Sequence, residues 1–177
     1  MLSTTLSLDK QRWGFVCFKV AVWLLLMSVI STGTTGVAVA RPDAHPQRLA
    51  VAALTKLCTF TPKEYETGTV AERIKPYSQP QLYRQLKNQP SLMVETFKPA
   101  QVQQWKEAGG ATAVTVRVTG EDHPQDTADS WARKIVCEQT RSGMEHTYGS
   151  VYLVVAAKKD QRWMLSGLKL LSSTPLD

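Results

Sequence analysis

The chain is poor in the residues that usually carry chemistry: 177 residues contain three histidines and three cysteines. His45, His123 and His146 stand far apart, and none has a second ligand at the spacing that a metal site requires. Neither a Gly-x-Ser-x-Gly element nor a glycine loop that could cradle phosphate occurs. These absences predict a protein that is not an enzyme, with no catalytic residues, no metal site and no cofactor.

The chain also lacks a concentrated basic tract, although its formal net charge is +6. Its lysines and arginines are scattered along the sequence, whereas a nucleic-acid footprint gathers them on one element. The composition therefore predicts no direct binding of nucleic acid. It favours a mildly positive surface near anionic lipid.

Charge is missing altogether from residues 20–40, which open with an apolar block and end in a Ser/Thr/Gly tail. Lys10, Arg12 and Lys19 precede this segment, and such cations are retained on the cytoplasmic side of a membrane. Everything after about residue 41 is therefore predicted to face the outside of the cell membrane.

Two interpretations of this leader remain open. As an anchor, residues 13–33 form a transmembrane helix of about 20 residues, with Lys19 extending toward the cytoplasmic headgroups. As a secretory signal, the leader is cleaved after Ala40 and the protein is secreted. The length of the apolar stretch favours the anchor, which leaves residues 1–12 as a cytoplasmic tail.

The exported part divides into a linker, residues 34–46, and an extracytoplasmic domain, residues 47–173. Cys58 and Cys137 are the two cysteines of this domain, whereas Cys17 lies in the leader. Outside the cytosol, Cys58 and Cys137 either pair, closing a loop of about 80 residues, or stay as two separately buried thiols. Spacing alone does not decide between these alternatives.

Helices dominate the first half of the domain. Apolar residues recur at three- and four-residue steps from about Gln47, which predicts a first helix. Three capping-box signatures follow, starting at Thr61, Thr69 and Ser78, and each predicts a short helix. Another short helix is predicted over residues 99–107.

Strands dominate the second half. After Gly109 and Gly110 the valines of residues 113–119 alternate with polar residues, as in a half-buried strand. Further strands are predicted over residues 131–139, 147–157 and 163–171. Helices first and an antiparallel meander second predict an α+β domain with helices packed on one face of a curved sheet.

The last two strands resemble the closing hairpin of the cone-shaped nuclear-transport-factor-two-like fold, with Trp163 just after the turn. One membrane segment, a short connector and one such cone is also the plan of the scaffold subunits of type IV secretion systems and of the TcpC-like conjugation proteins. The helical half, residues 54–86, is similar to actinobacterial and firmicute members of that group, with Tyr65, residues 73–77 and the restart at 80–83.

The resemblance implies a non-enzymatic, membrane-tethered scaffold of a conjugative transfer or type IV secretion apparatus. Its partners would be the membrane, other secretion-apparatus proteins and further copies of itself. The alternative is a secreted or surface cone domain that binds a small apolar ligand. Its pocket would be lined by apolar side chains of the sheet: Val114, Val116, Val118, Leu153, Val155 and Trp163.

Overall fold

The computed structural model describes residues 45–176, which fold into helices followed by a four-stranded antiparallel sheet. The α+β class is thereby confirmed. The predicted cytoplasmic tail, membrane segment and nearly all of the predicted linker lie outside the described residues. Within residues 45–176 no helix is both long enough and apolar enough to cross a membrane.

The elements follow one another with short connections. The helices are α1 (Pro46–Cys58), α2 (Pro62–Glu66), a 3-10 helix (Val70–Tyr77), α3 (Pro80–Asn88), a short 3-10 turn (Pro90–Leu92) and α4 (Pro99–Glu107). The strands are β1 (Thr112–Val118), β2 (Ser130–Arg141), β3 (Thr147–Lys159) and β4 (Arg162–Leu176).

Helix α1 forms where the apolar periodicity predicts it. Pro46 occupies the first helical turn, and the side chain of His45 accepts a hydrogen bond from the amide of Gln47 at 3.3 Å. One face of α1 is buried and contacts all four strands. That face consists of Leu49, Ala50, Ala53, Leu54, Leu57 and Cys58.

Of the three predicted capping boxes, only the first is present. The amide of Thr61 donates to Glu64 Oε2 at 2.8 Å, and the amide of Glu64 donates to Thr61 Oγ1 at 3.3 Å. Thr69 makes no capping hydrogen bond, and the helix after it is a 3-10 helix that contains Pro76. The Ser78 hydroxyl donates backward to the carbonyl of Ile74 at 2.9 Å, so α3 begins without a side-chain cap. The short helices predicted after Thr69 and Ser78 are therefore present, but the capping boxes that predicted them are not formed.

The sheet is a simple meander in the order β1-β2-β3-β4, as predicted. Asp160 and Gln161 form the β3–β4 turn, both with positive φ (50° and 64°), as in a type I′ hairpin. β4 continues to Leu176, beyond the predicted end at residue 171, because Thr147 at the start of β3 pairs with Leu176. Register shifts at 151/152 and 155/156 bend the last two strands.

A disulfide joins the last residue of α1, Cys58, to the middle of β2 at Cys137. Their Cα atoms are 6.7 Å apart, the sequence separation is 79, and both side chains are fully buried. The bond fixes the helical layer to the sheet across the core.

Replacing both bonded cysteines, Cys58→Ala with Cys137→Ala, should lower the free energy of unfolding by about 2–5 kcal/mol, because the unfolded chain regains the freedom of the closed loop. Urea unfolding of the full chain, followed by near-UV circular dichroism, measures the change. Cys17→Ala is the control and should leave the midpoint unchanged. Equal midpoints for the oxidised and reduced wild-type protein would contradict the stabilising role of the bond.

Candidate functional site: the outer face of the sheet

The two faces of the sheet have different surroundings. In β3 the side chains of Ser150, Tyr152, Val154 and Ala156 are buried. Most of their partners across the ladders are buried too and belong to the core that α1 covers, namely Trp131, Ile135, Cys137, Leu165 and Leu168. The alternate positions of β3 point to the opposite side, because successive strand residues face opposite ways.

We call this opposite side the outer face. The cross-strand register places four residues of each of β2, β3 and β4 on it. They are Ser130, Ala132, Lys134, Val136, Val151, Leu153, Val155, Ala157, Met164, Gly167, Lys169 and Ser172. Among the described residues no helix packs on this face, since the helices belong to the core on the other side.

The centre of the outer face is apolar and its rim is charged. Leu153 is 36% exposed and lies between the half-buried Val151 and Val155 of the same strand face. Its direct cross-strand partners are Lys134 and Lys169. The Arg117–Glu138 ion pair at 3.4 Å adds to the rim, and such an exposed pair contributes little to stability. An apolar centre inside a polar rim is the anatomy of a protein–protein interface.

The six residues predicted to line one pocket lie on both faces. Val114, Val116 and Val118 pair with buried residues of β2 and pack half-buried against the core. Trp163 also packs against the core, under the ammonium group of Lys158 at 5.3 Å. Leu153 and Val155 point outward. The six side chains therefore do not line one cavity.

The strongest buried electrostatic feature is the guanidinium of Arg141, which the sequence analysis missed. Arg141 ends β2 on the inner face and is 2% exposed. Its Nη1 lies 3.1 Å from Oε1 of Glu95, and its Nη2 bonds the side-chain oxygen of Gln139. Four aromatic rings surround its guanidinium carbon with centroids 4.6–5.7 Å away, those of Phe60, Phe97, Trp105 and Tyr148. The signal was available, because Arg141 falls on the same period-two positions as Trp131, Ile135 and Cys137.

The aromatic rings explain how this charge tolerates burial. Nη1 and Nε of Arg141 make no aligned hydrogen bond within the described residues. The faces of the aromatic rings stabilise the positive charge instead, through cation–π attraction. Desolvation lowers the pKa of the Arg141 guanidinium, and the Glu95 carboxylate opposes that shift. An arginine has donors but no acceptor, so it cannot act as a general base.

The neighbouring Tyr152 also has a structural role. Burial raises the pKa of its phenol above the ordinary range, and its hydroxyl donates to the carbonyl of Met93 at 2.8 Å. Together, Arg141 and Tyr152 hold the segment from Met93 to Phe97 against the sheet. This cluster is a clamp between the helical and strand halves.

No candidate metal centre is present in residues 45–176. No group of three His, Cys, Asp or Glu side chains there is close enough to hold a metal ion. The grooves beside Tyr65 contain one carboxylate, that of Glu66, which Lys106 engages at 3.1 Å. The outer face is therefore the feature with the clearest capacity for function.

No family model, curated protein or solved structure matches the chain, so these comparisons assign it to no family. The resemblance to secretion scaffolds consequently stays a prediction.

Removing the guanidinium with Arg141→Met should destabilise the domain by about 3 kcal/mol, because it leaves the Glu95 carboxylate without its partner. Denaturant unfolding measures this loss. The matched control, Arg117→Met in the exposed pair with Glu138, should cost no more than about 1 kcal/mol. Adding Glu95→Leu to Arg141→Met should recover much of the loss. If the two single variants lose the same amount, Arg141 is not a clamp.

Proposed function

We propose that this chain is a non-enzymatic, membrane-tethered assembly component, most consistent with a scaffold of a conjugative transfer or type IV secretion apparatus. The N-terminal leader would act as a tether, and the outer face would bind further copies or other subunits of the apparatus. The observation that carries this proposal is the apolar centre of the outer face around Leu153, which no described element covers.

The size of this face explains why tethering matters. Three strands spaced about 4.8 Å apart, over seven residues of about 3.3 Å each, give a patch on the order of 300 Å². Stable complexes bury about 800 Å² per partner. Contacts through the outer face alone would be weak in solution. Confinement to a membrane raises the effective concentration and makes weak contacts sufficient.

The order of the chain supports the same proposal. An uncharged leader precedes one α+β domain that ends in an antiparallel meander, which is the plan of the scaffold subunits it resembles. The alternative function, binding of a small apolar ligand, requires the six predicted lining residues to converge. Leu153 and Val155 face away from the other four, so the scaffold is the better supported of the two.

Substituting the central outer-face leucine, Leu153→Lys, should abolish self-association or partner contact without unfolding the domain, since the side chain is already partly exposed. Energy transfer between labelled full-length copies in lipid vesicles measures self-association, and transfer frequency of the element that carries the gene measures function. We expect a loss of tenfold or more in at least one of the two, because the apolar centre gains an unpaired charge.

The matched control is Val51→Lys, which makes the same chemical change at a half-buried position of α1, away from the sheet. It should behave as wild type in both measurements. An unchanged transfer frequency after deletion of the whole gene would refute the proposed apparatus, whereas normal behaviour of Leu153→Lys would refute the proposed face.

A further inference from the structure

Two segments meet at one end of the sheet, which we call the hairpin end. They are the loop of residues 120–129 and the β3–β4 turn. The amide of Lys158 donates to the carbonyl of Asp129 at 2.9 Å, which joins the loop to the hairpin. Hydrogen bonds from Arg133 lower the pKa of Asp126 and hold the loop against the start of β2.

A groove of about 410 Å³ opens at the hairpin end between the β3–β4 turn and the start of α3. Its floor is largely apolar, with Pro80, Met164 and the ring of Tyr83. Its rim carries three cations, Lys75, Lys159 and Arg162, and one acid, Asp160.

Local geometry sets the rim cations side by side. The two-residue turn at Asp160 and Gln161 makes Lys159 and Arg162 direct cross-strand partners. From the opposite wall, the ammonium of Lys75 approaches the Tyr83 ring at 5.3 Å from its centroid. Side chains of this kind keep their charge at the surface while their stems cover the apolar floor.

Most acids near the groove pair with cations outside it. Asp126 bonds Arg133 at 2.7 Å, and Asp129 lies 3.8 Å from Lys158. Glu121 of the same loop pairs with Lys134, and Asp122, its fourth acid, has no ion-pair partner among the described residues. Asp160 is the one acid on the rim.

Glu72 lies 3.7 Å from Lys87 and 4.0 Å from Lys75, and it also accepts from the hydroxyl of Tyr83. Within residues 45–176, neither Lys159 nor Arg162 has an acidic partner. The groove therefore carries two cations without an acidic partner, Lys159 and Arg162, beside an apolar floor.

We propose that this groove binds the anionic headgroups of phospholipids, so that the domain rests with its hairpin end on the bilayer. The inference deepens the proposed function and relies on its tether. Cations above an apolar floor match the boundary between headgroups and acyl chains. A nucleic acid would need a longer basic track than three side chains.

The groove can be tested on the full-length chain in nanodiscs of phosphatidylcholine, alone or mixed with phosphatidylglycerol. Lysine acetylation by sulfo-N-hydroxysuccinimide acetate, read by mass spectrometry, reports which ammonium groups the lipid protects. Lys106 is the internal control, because α4 lies at the opposite end of the sheet, where the Gln104 side chain bonds Gly143. Phosphatidylglycerol should slow acetylation of Lys75 and Lys159 about fivefold and leave Lys106 unchanged.

A substitution on the rim distinguishes binding in the groove from general electrostatic attraction to the anionic membrane. Arg162→Gln should reduce the protection of Lys75 and Lys159 about fivefold, because each cation near an anionic surface contributes a similar factor. Arg117→Gln on β1 makes the same change away from the groove and should preserve the protection. Equal acetylation in both lipids, equal effects of the two variants, or full protection by inorganic phosphate in phosphatidylcholine discs would each overturn the proposal.

Failure of the tether gives a distinct result. If the leader is cleaved and the protein is released, the proposal of a tethered scaffold is refuted. The released protein is then mixed with phosphatidylglycerol vesicles. Sedimentation with these vesicles that depends on Arg162 still supports the groove. Absence of sedimentation overturns the groove as well.

Discussion

Burial of α1 across all four strands is the contact on which the rest of the domain depends. The three leucines of its inner face are each worth about 1.5–3 kcal/mol relative to exposure, and two alanines let the helix approach the sheet closely. Helix α1 occupies one side of the sheet, and residues 45–176 contain no second helix of its length that could cover the other side. The described domain therefore has two layers, and the outer face results from the lack of a second helix layer in residues 45–176.

Local signals in the sequence were sufficient where neighbours in the chain decide the structure. The alternation of valines predicted β1, and the Thr61–Glu64 pair predicted the start of α2. Prediction failed where distant residues decide. The length of β4 depends on the start of β3, and Ser78 caps nothing because its hydroxyl reaches back to Ile74 while its backbone bridges to Leu165. In the sequence, Arg141 resembles a solvent-exposed residue at the end of a strand. In the structure, aromatic rings from three other segments surround it.

The pocket prediction shows a limit of a different kind. Period-two patterning shows which residues share a face within one strand, but it does not align the faces of different strands. The register pairs Lys158 with Trp163 on the core side, whereas Val155 pairs with Gly167 on the other side, and a register shift separates the two pairs. Separating Val155 from Trp163 therefore required the cross-strand register of the hairpin, which the periodicity of one strand does not supply.

The disulfide between Cys58 and Cys137 also dictates when the domain can mature. Its two sulfur atoms belong to the first helix and the second strand, so the bond closes only after most of the chain has emerged and docked. In a reducing cytosol the thiols stay apart and the domain lacks this covalent stabilisation. Under the proposed export of the chain, the bond would form only after translocation, in an oxidising compartment.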